Sequence, residues 1–304
     1  MLGFATNCWA TSRSSERRGI SLITPNGPTN NVQFNRSGTG YSLAADGIMT
    51  ANGTDIPRLD HDPTTGAVIG TLIEPARTNM LIHSRASVDT WAVSSATVSQ
   101  LSLNALGQFD GVLCASNGAS FHRLIHPSVE LEQGETYCLS LWLRPSTSET
   151  YRVTFRTSDG NSTTLSGTFA DAKVSTNTAG ALEFIDQHRH SDGTLRVRLS
   201  FVPSATKLHS IGAGPHSVTA GNDIVILGMQ LEKGTVPTSY IPTDGAEHTR
   251  PADIATVRGI SGVFDLLVTY GDGSTETIPS QVIGDGYWPA LSQHCVRSMI
   301  AYPA

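Results

Sequence analysis

Polar and apolar residues alternate along YCLSLWLR, residues 137–144. Tyr137, Leu139, Leu141 and Leu143 share one face, and Cys138, Ser140, Trp142 and Arg144 share the other. The same period of two recurs in YRVTFRT, where Tyr151, Val153 and Phe155 oppose Arg152, Thr154 and Arg156. In TLRVRLSFV, Leu195, Val197, Leu199 and Phe201 oppose Arg196, Arg198 and Ser200, and NDIVILGMQLEKG supplies a further strand. Turn signals such as SDGN (158–161) and SDG (191–193) separate these runs. No helical stripe, heptad or long internal repeat interrupts them. The pattern predicts an all-β fold: two antiparallel sheets packed face to face as a jelly-roll sandwich over residues 85–248.

The flanks read differently. Residues 1–84 are rich in Gly, Asn, Pro and Thr, with short apolar islands GISLIT, VQF, YSLAADG and VIGTLI. Short strands with a weak core of their own are expected there, and hence an N-terminal docking and oligomerisation region. Residues 249–304 hold a strand, the turn GDG (271–273) and a second strand. A segment of that size is near the lower limit for independent folding. It is expected to be a small C-terminal β module that docks on the sandwich or on a neighbouring subunit.

Composition sharpens this picture. Only 15% of the 304 residues are charged, while Gly (29) and Pro (15) are frequent, so the surface is hydroxylated rather than ionic. The net charge is −6, with no dense Lys/Arg run, which disfavours nucleic acid as a partner because such binding needs a basic face to displace counterions. No apolar run approaches a membrane span, and the N-terminus lacks the pattern of a signal peptide, so neither a membrane partner nor a secretory route is expected. Cys8, Cys114, Cys138 and Cys295 are scattered without zinc spacing and read as buried free thiols. No metal or cofactor is expected.

Candidate chemistry is sparse. Phosphate-loop, dinucleotide and nucleophile-elbow motifs are missing, and GAGP (212–215) reads as a turn. His188 and His190 could point the same way on a strand but lack an assignable third ligand, which leaves them as solvated surface residues. Asp60, Asp62, Glu74, Glu183 and Asp186 offer carboxylates for glycoside hydrolysis, yet no spacing singles out a pair. Sugar binding has a better footing. Trp142, Arg144, Arg152 and Arg156 fall on polar faces of predicted strands, with Gln230 in the last strand. An aromatic ring and directional donors there suit a shallow saccharide groove, against the alternative that Trp142 is core and the arginines are solvated. Glu74 and Arg77 read as structural partners after an apolar strand. In PTSYIPT, Pro237 and Pro242 stiffen the path around Tyr240, which acts as a clamp through ring packing and a hydroxyl hydrogen bond.

Three stretches carry more than pattern: IPRLDHDPTTGAVIGTLIEPARTNML, ETYCLSLWLR and GMQLEKGTVPTSYIPTDGAEHTRPAD. Together they resemble bacteriophage virion fibre and head-spike proteins with a carbohydrate-binding jelly roll. The C-terminal GVFDLLVTYGDGSTETI and GYWPALS are similar to endings of phage and gene-transfer-agent-like head spikes. The resemblance implies a concanavalin-like or carbohydrate-module sandwich in a homo-oligomeric spike, a trimer or pentamer. It implies a place on the virion surface after assembly in the bacterial cytoplasm, with capsid or tail proteins and host-cell polysaccharide as partners. Its phrases are structural, and no catalytic residue carries over. A purely structural spike base and a capsule depolymerase are the alternative readings.

Overall fold

The computed structural model describes residues 18–304, except 120, 122, 171, 178 and 179; Cys8 and the first part of the expected docking region lie outside the described residues. Among the described residues the regular structure is all strand. Two six-stranded antiparallel sheets form a sandwich of the jelly-roll class. The first sheet runs Ala96–Ala105, Phe109–Ser116, Asp223–Lys233, Tyr137–Pro145, Leu195–Pro203, Gly180–Arg189. The second runs Ala172–Asn177, Ser162–Thr168, Thr150–Thr157, Lys207–Pro215, Arg123–Leu131, Ala92–Ser94. Tyr137, Leu139, Leu141 and Leu143 point between the sheets and meet Val153, Phe155, Ile211 and Ala213. Phe155 and Phe201 stack there at 4.1 Å. Each such fully buried apolar side chain contributes on the order of 1.5–3 kcal/mol.

The ends of the chain share a third sheet, which corrects the expectation of separate N- and C-terminal units. Ile20–Thr24 pairs with Cys295–Pro303, which also pairs with Gly262–Tyr270 and with Val68–Leu72. Val32–Asn35 pairs with Ile254–Val257, and Arg77–Asn79 with His248–Arg250. The physical reason is burial. Leu22 and Ile23 from the start of the chain are buried in one cluster with Leu266, Val268 and Met299 from its end. The GDG hairpin forms between Gly262–Tyr270 and Thr275–Ile283. A glycine is required at position 273, where φ is +85°.

The first sheet is covered on its other face as well. Leu43 and Met49, from the hairpin Gly40–Leu43 with Met49–Asn52, pack there with Phe109, Trp142, Leu227 and Tyr240. The strand Tyr137–Pro145 is therefore buried on both sides over most of its length. The outer face of the second sheet carries exposed or half-buried positions such as Arg152, Arg156 and Ser210 beside buried ones such as Thr154 and Ser166.

Candidate functional site

Two of the quoted sequence phrases, the first and the last, converge with Arg36 on one buried charge cluster. Arg36, Arg58, Arg250, Glu74 and Asp253 all lie out of solvent. Asp253 accepts from Arg36 at 2.9 Å and from Arg58, and also from the Glu74 backbone N–H at 2.9 Å. Glu74 accepts from Arg58 at 2.8 Å and lies 3.3 Å from Arg250. Ser239 of PTSYIPT donates its N–H and hydroxyl to Glu74 at 2.8 and 2.7 Å. Burial opposes ionisation of Glu74, but Arg58, Arg250 and these hydrogen bonds outweigh it and hold its pKa at about 2. The cluster ties together residues from both chain ends and the sandwich. Glu74 is thus partnered by Arg58 and Arg250 rather than Arg77, whose guanidinium donates to Ala76 O. The i to i+3 spacing of Glu74 and Arg77 is set on an extended segment, where it brings no contact.

PTSYIPT is fastened residue by residue. Thr238 N–H donates to Glu232, Gln230 donates to Ser239 O at 3.0 Å and accepts from Ile241 N–H at 2.6 Å, and Asn79 donates to Ile241 O at 2.9 Å. Tyr240 is buried, with its hydroxyl 2.8 Å from Ser84 Oγ and its ring edge-on to Tyr41, Phe109 and Trp142. Pro237 is buried and Pro242 half-buried at the two ends.

These contacts remove two residues from the expected sugar groove. Trp142 and Gln230 are both 0% exposed. The face that carries them is polar in sequence but roofed by PTSYIPT and by the Gly40–Asn52 hairpin. Arg196 caps the Trp142 ring at 5.0 Å, donates to Ser140 and Thr238 O, and has its pKa pulled down to about 10 by burial. Arg144 sits at the rim of the same sheet, bonded to Thr194 and paired with Asp192.

Arg152 and Arg156 lie elsewhere, on the outer face of the second sheet. Register places Arg152 opposite Gly214, Thr154 opposite Gly212 and Arg156 opposite Ser210. On the far side Arg152 faces Ser166, Thr154 faces Thr164 and Arg156 faces Ser162. The glycines sit inside the strand Lys207–Pro215, so GAGP is not a turn. With no side chains of their own, the glycines leave room for their neighbours, and Arg123 and Ile125 fill the space over Gly212. Arg123 is a residue not singled out from sequence. Arg123, only 7% exposed, lays its stem over Gly212, where an added Cβ would come 3.2 Å from its Cδ. Its guanidinium lies 5.2 Å from the ring of Phe121, which is 41% exposed. Burial, then the charges of Arg156 and Arg152, lower the Arg123 pKa. The face therefore combines three arginines, one row of hydroxyls (Ser162, Thr164 and the buried Ser166), Ser210 and an exposed aromatic ring.

The remaining candidates are dispersed. Asp60 accepts from Leu43 N–H and is raised to about 6 by burial; Asp62 organises its turn through Thr64 and Thr65; Asp186 pairs with Arg198. His188 is exposed beside Arg198, but His190 is buried with a pKa lowered to about 4 by burial, so it is not a surface histidine. Among the described residues no group of His, Cys, Asp and Glu is arranged to hold a metal. Cys114 and Cys138 are buried free thiols and Cys295 is partly buried; burial raises all three to about 12. A separate depression of about 490 Å³ is lined by Arg85, Asp89, Gln100, Asn104, Gln108 and Asp110. Its two glutamines are already engaged with backbone, at Gly111 O and Met49 O.

No protein-family model and no curated protein matches the chain. Among solved structures it is similar to an arabinose-bound GH51 α-L-arabinofuranosidase at a TM-score of 0.37 and 15% identity. That likeness covers 68% of this chain and 32% of the enzyme, so the chain spans about a third of that enzyme's length.

Proposed function

We propose that this chain is a surface spike or fibre protein of a phage-like particle that attaches to host-cell polysaccharide through the outer face of the second sheet. The observation that carries the binding part is the grouping of Arg123, Arg152 and Arg156 on that face, beside Ser162, Thr164 and Ser210 and the exposed Phe121 ring. Guanidinium groups and hydroxyls are directional donors suited to sugar oxygens, and an exposed ring such as Phe121 can stack on the C–H face of a pyranose. A strand-borne face of this kind is preorganised, because its backbone is held by two neighbouring strands.

The virion setting rests on the sequence phrases. Their structural counterpart, the buried Arg–carboxylate cluster, is a scaffold that fastens the chain ends to the sandwich. Several copies on one particle would turn a weak single site into firm attachment, since linked sites gain avidity without any new contact. A homo-oligomer, trimeric or pentameric, docked on capsid or tail proteins meets that requirement.

An array of bacterial capsule and O-antigen polysaccharides, probed with the full chain, tests this reading. Retention of at least one polysaccharide, reduced about tenfold or more by R156Q, is expected; tenfold corresponds to about 1.4 kcal/mol. If the array retains nothing, the attachment role fails and a purely structural spike protein is the better description. Release of reducing ends from a retained polysaccharide would instead favour a depolymerase.

A further inference from the structure

On the outer face of the second sheet, one buried guanidinium has no anion beside it among the described residues, and this points to a ligand. Arg123 makes no hydrogen bond or ion pair with any described residue; its Nε is buried and unpartnered, and its guanidinium rests on Phe121. Among the described residues the charges that act on it are those of Arg156 and Arg152, both repulsive. Asp159, in the turn that follows Arg156, is already taken by Lys207 and by Thr157. The buried arginines of the scaffold show the contrast: Arg36, Arg58 and Arg250 each lie against Glu74 or Asp253. A guanidinium held out of water with no anion among the described residues costs free energy that a bound anion would recover. On a chain of net charge −6 such a local positive patch is an exception rather than the background.

We propose that this face takes an acidic polysaccharide, with an anionic group of the sugar seated at the guanidinium groups of Arg123 and Arg156. The inference rests on the attachment reading above and narrows its ligand class. The planar guanidinium supplies paired donors to a carboxylate, sulfate or phosphate. Phe121 offers an apolar edge beside the anion site, which a sugar ring can use. Three arginines on one small face make too narrow a footprint for a duplex, whose binding needs a charge for each neutralised phosphate.

The test uses the full chain and two pairs of immobilised polymers in biolayer interferometry. Polygalacturonate against its full methyl ester tests the carboxylate, and dextran sulfate against dextran tests the sulfate. The acidic member of at least one pair should bind about tenfold or more tightly than its neutral partner, and more weakly as NaCl rises. R123Q and R156Q should each weaken that binding about tenfold or more. R123Q should leave the thermal midpoint unchanged or raised, because it removes a buried, repelled charge; a merely structural arginine would lower it. If R123Q does not fold, R156Q carries the test at an exposed position.

Equal binding of acidic and neutral members, or full binding by R156Q, overturns the proposal. So does duplex DNA bound as tightly with the same arginine dependence. A neutral bacterial polysaccharide retained on the array and insensitive to both substitutions would also remove the acidic ligand, while leaving attachment through another surface standing. Absence of all glycan retention would remove both.

Discussion

Asp253→Asn is expected to destabilise the fold by about 3–5 kcal/mol, the usual cost of removing one partner from a buried ion pair. Asp253 is the only acceptor described for Arg36 Nη1, and its second oxygen serves Arg58 and the Glu74 N–H. An asparagine of the same shape keeps one acceptor oxygen and turns the other into a donor. That donor faces either Arg36 or the Arg58 and Glu74 N–H groups, and Glu74 alone would then balance three buried guanidinium groups. Against a typical folding stability of about 5–15 kcal/mol the loss is severe. Urea unfolding followed by far-UV circular dichroism reads it directly, and a change under about 1 kcal/mol would show that the cluster does not hold the chain ends to the sandwich. The pH dependence of the wild type provides a companion reading. Glu74 has its folded pKa depressed from 4.5 to about 2, so its contribution is fully present above pH 4.5 and is lost as pH falls through about 2.

The second large effect is Trp142→Ala, expected to cost about 3–5 kcal/mol through loss of burial and the cavity left behind. Trp142 lies 5.3 Å from the rings of both Phe109 and Tyr240, beneath Arg196. Its removal would loosen the roof made by PTSYIPT, because Tyr240 loses one of its three aromatic neighbours. Thermal unfolding should show a fall in midpoint of many degrees. Glycan retention, measured below that midpoint, should persist. The opposite pattern, lost binding with an unchanged midpoint, would place Trp142 on a sugar platform and reverse the assignment of the two sheets.

Sequence periodicity located the sandwich strands and the inward face of YCLSLWLR because alternation is a local property of a half-buried strand. It could not show that the opposite face of that strand is also covered. The cover comes from Tyr240 and Leu43, which lie far from Trp142 in the chain, and coverage of a sheet face has no local signature. The same limit explains Glu74: proximity in sequence suggested Arg77, whereas Arg58 and Arg250 reach it through sheet register. The union of the two chain ends was hidden for the same reason, since Ile20–Thr24 and Cys295–Pro303 sit at opposite ends of the chain. On the outer face of the second sheet, Arg152 and Arg156 were legible as the polar face of YRVTFRT. Arg123 was not, because it sits at the start of the apolar run that includes Leu124 and Ile125. Only register across the glycines of Lys207–Pro215 sets it among the other arginines. Those glycines suggested a turn from their composition, although Gly in a strand also marks close approach of a ligand.

The claim that polysaccharide meets the second sheet rather than the first is tested most directly by arginine-selective labelling with phenylglyoxal, mapped by peptide mass spectrometry. The full chain is compared with and without the polysaccharide retained on the array. Arg156 and Arg85 are both exposed and serve as reporters for the two surfaces. Bound polysaccharide should suppress labelling of Arg156 and leave Arg85, beside the separate depression, labelled as before. Suppression at Arg85 with Arg156 unchanged would contradict the account and move the sugar site off the second sheet.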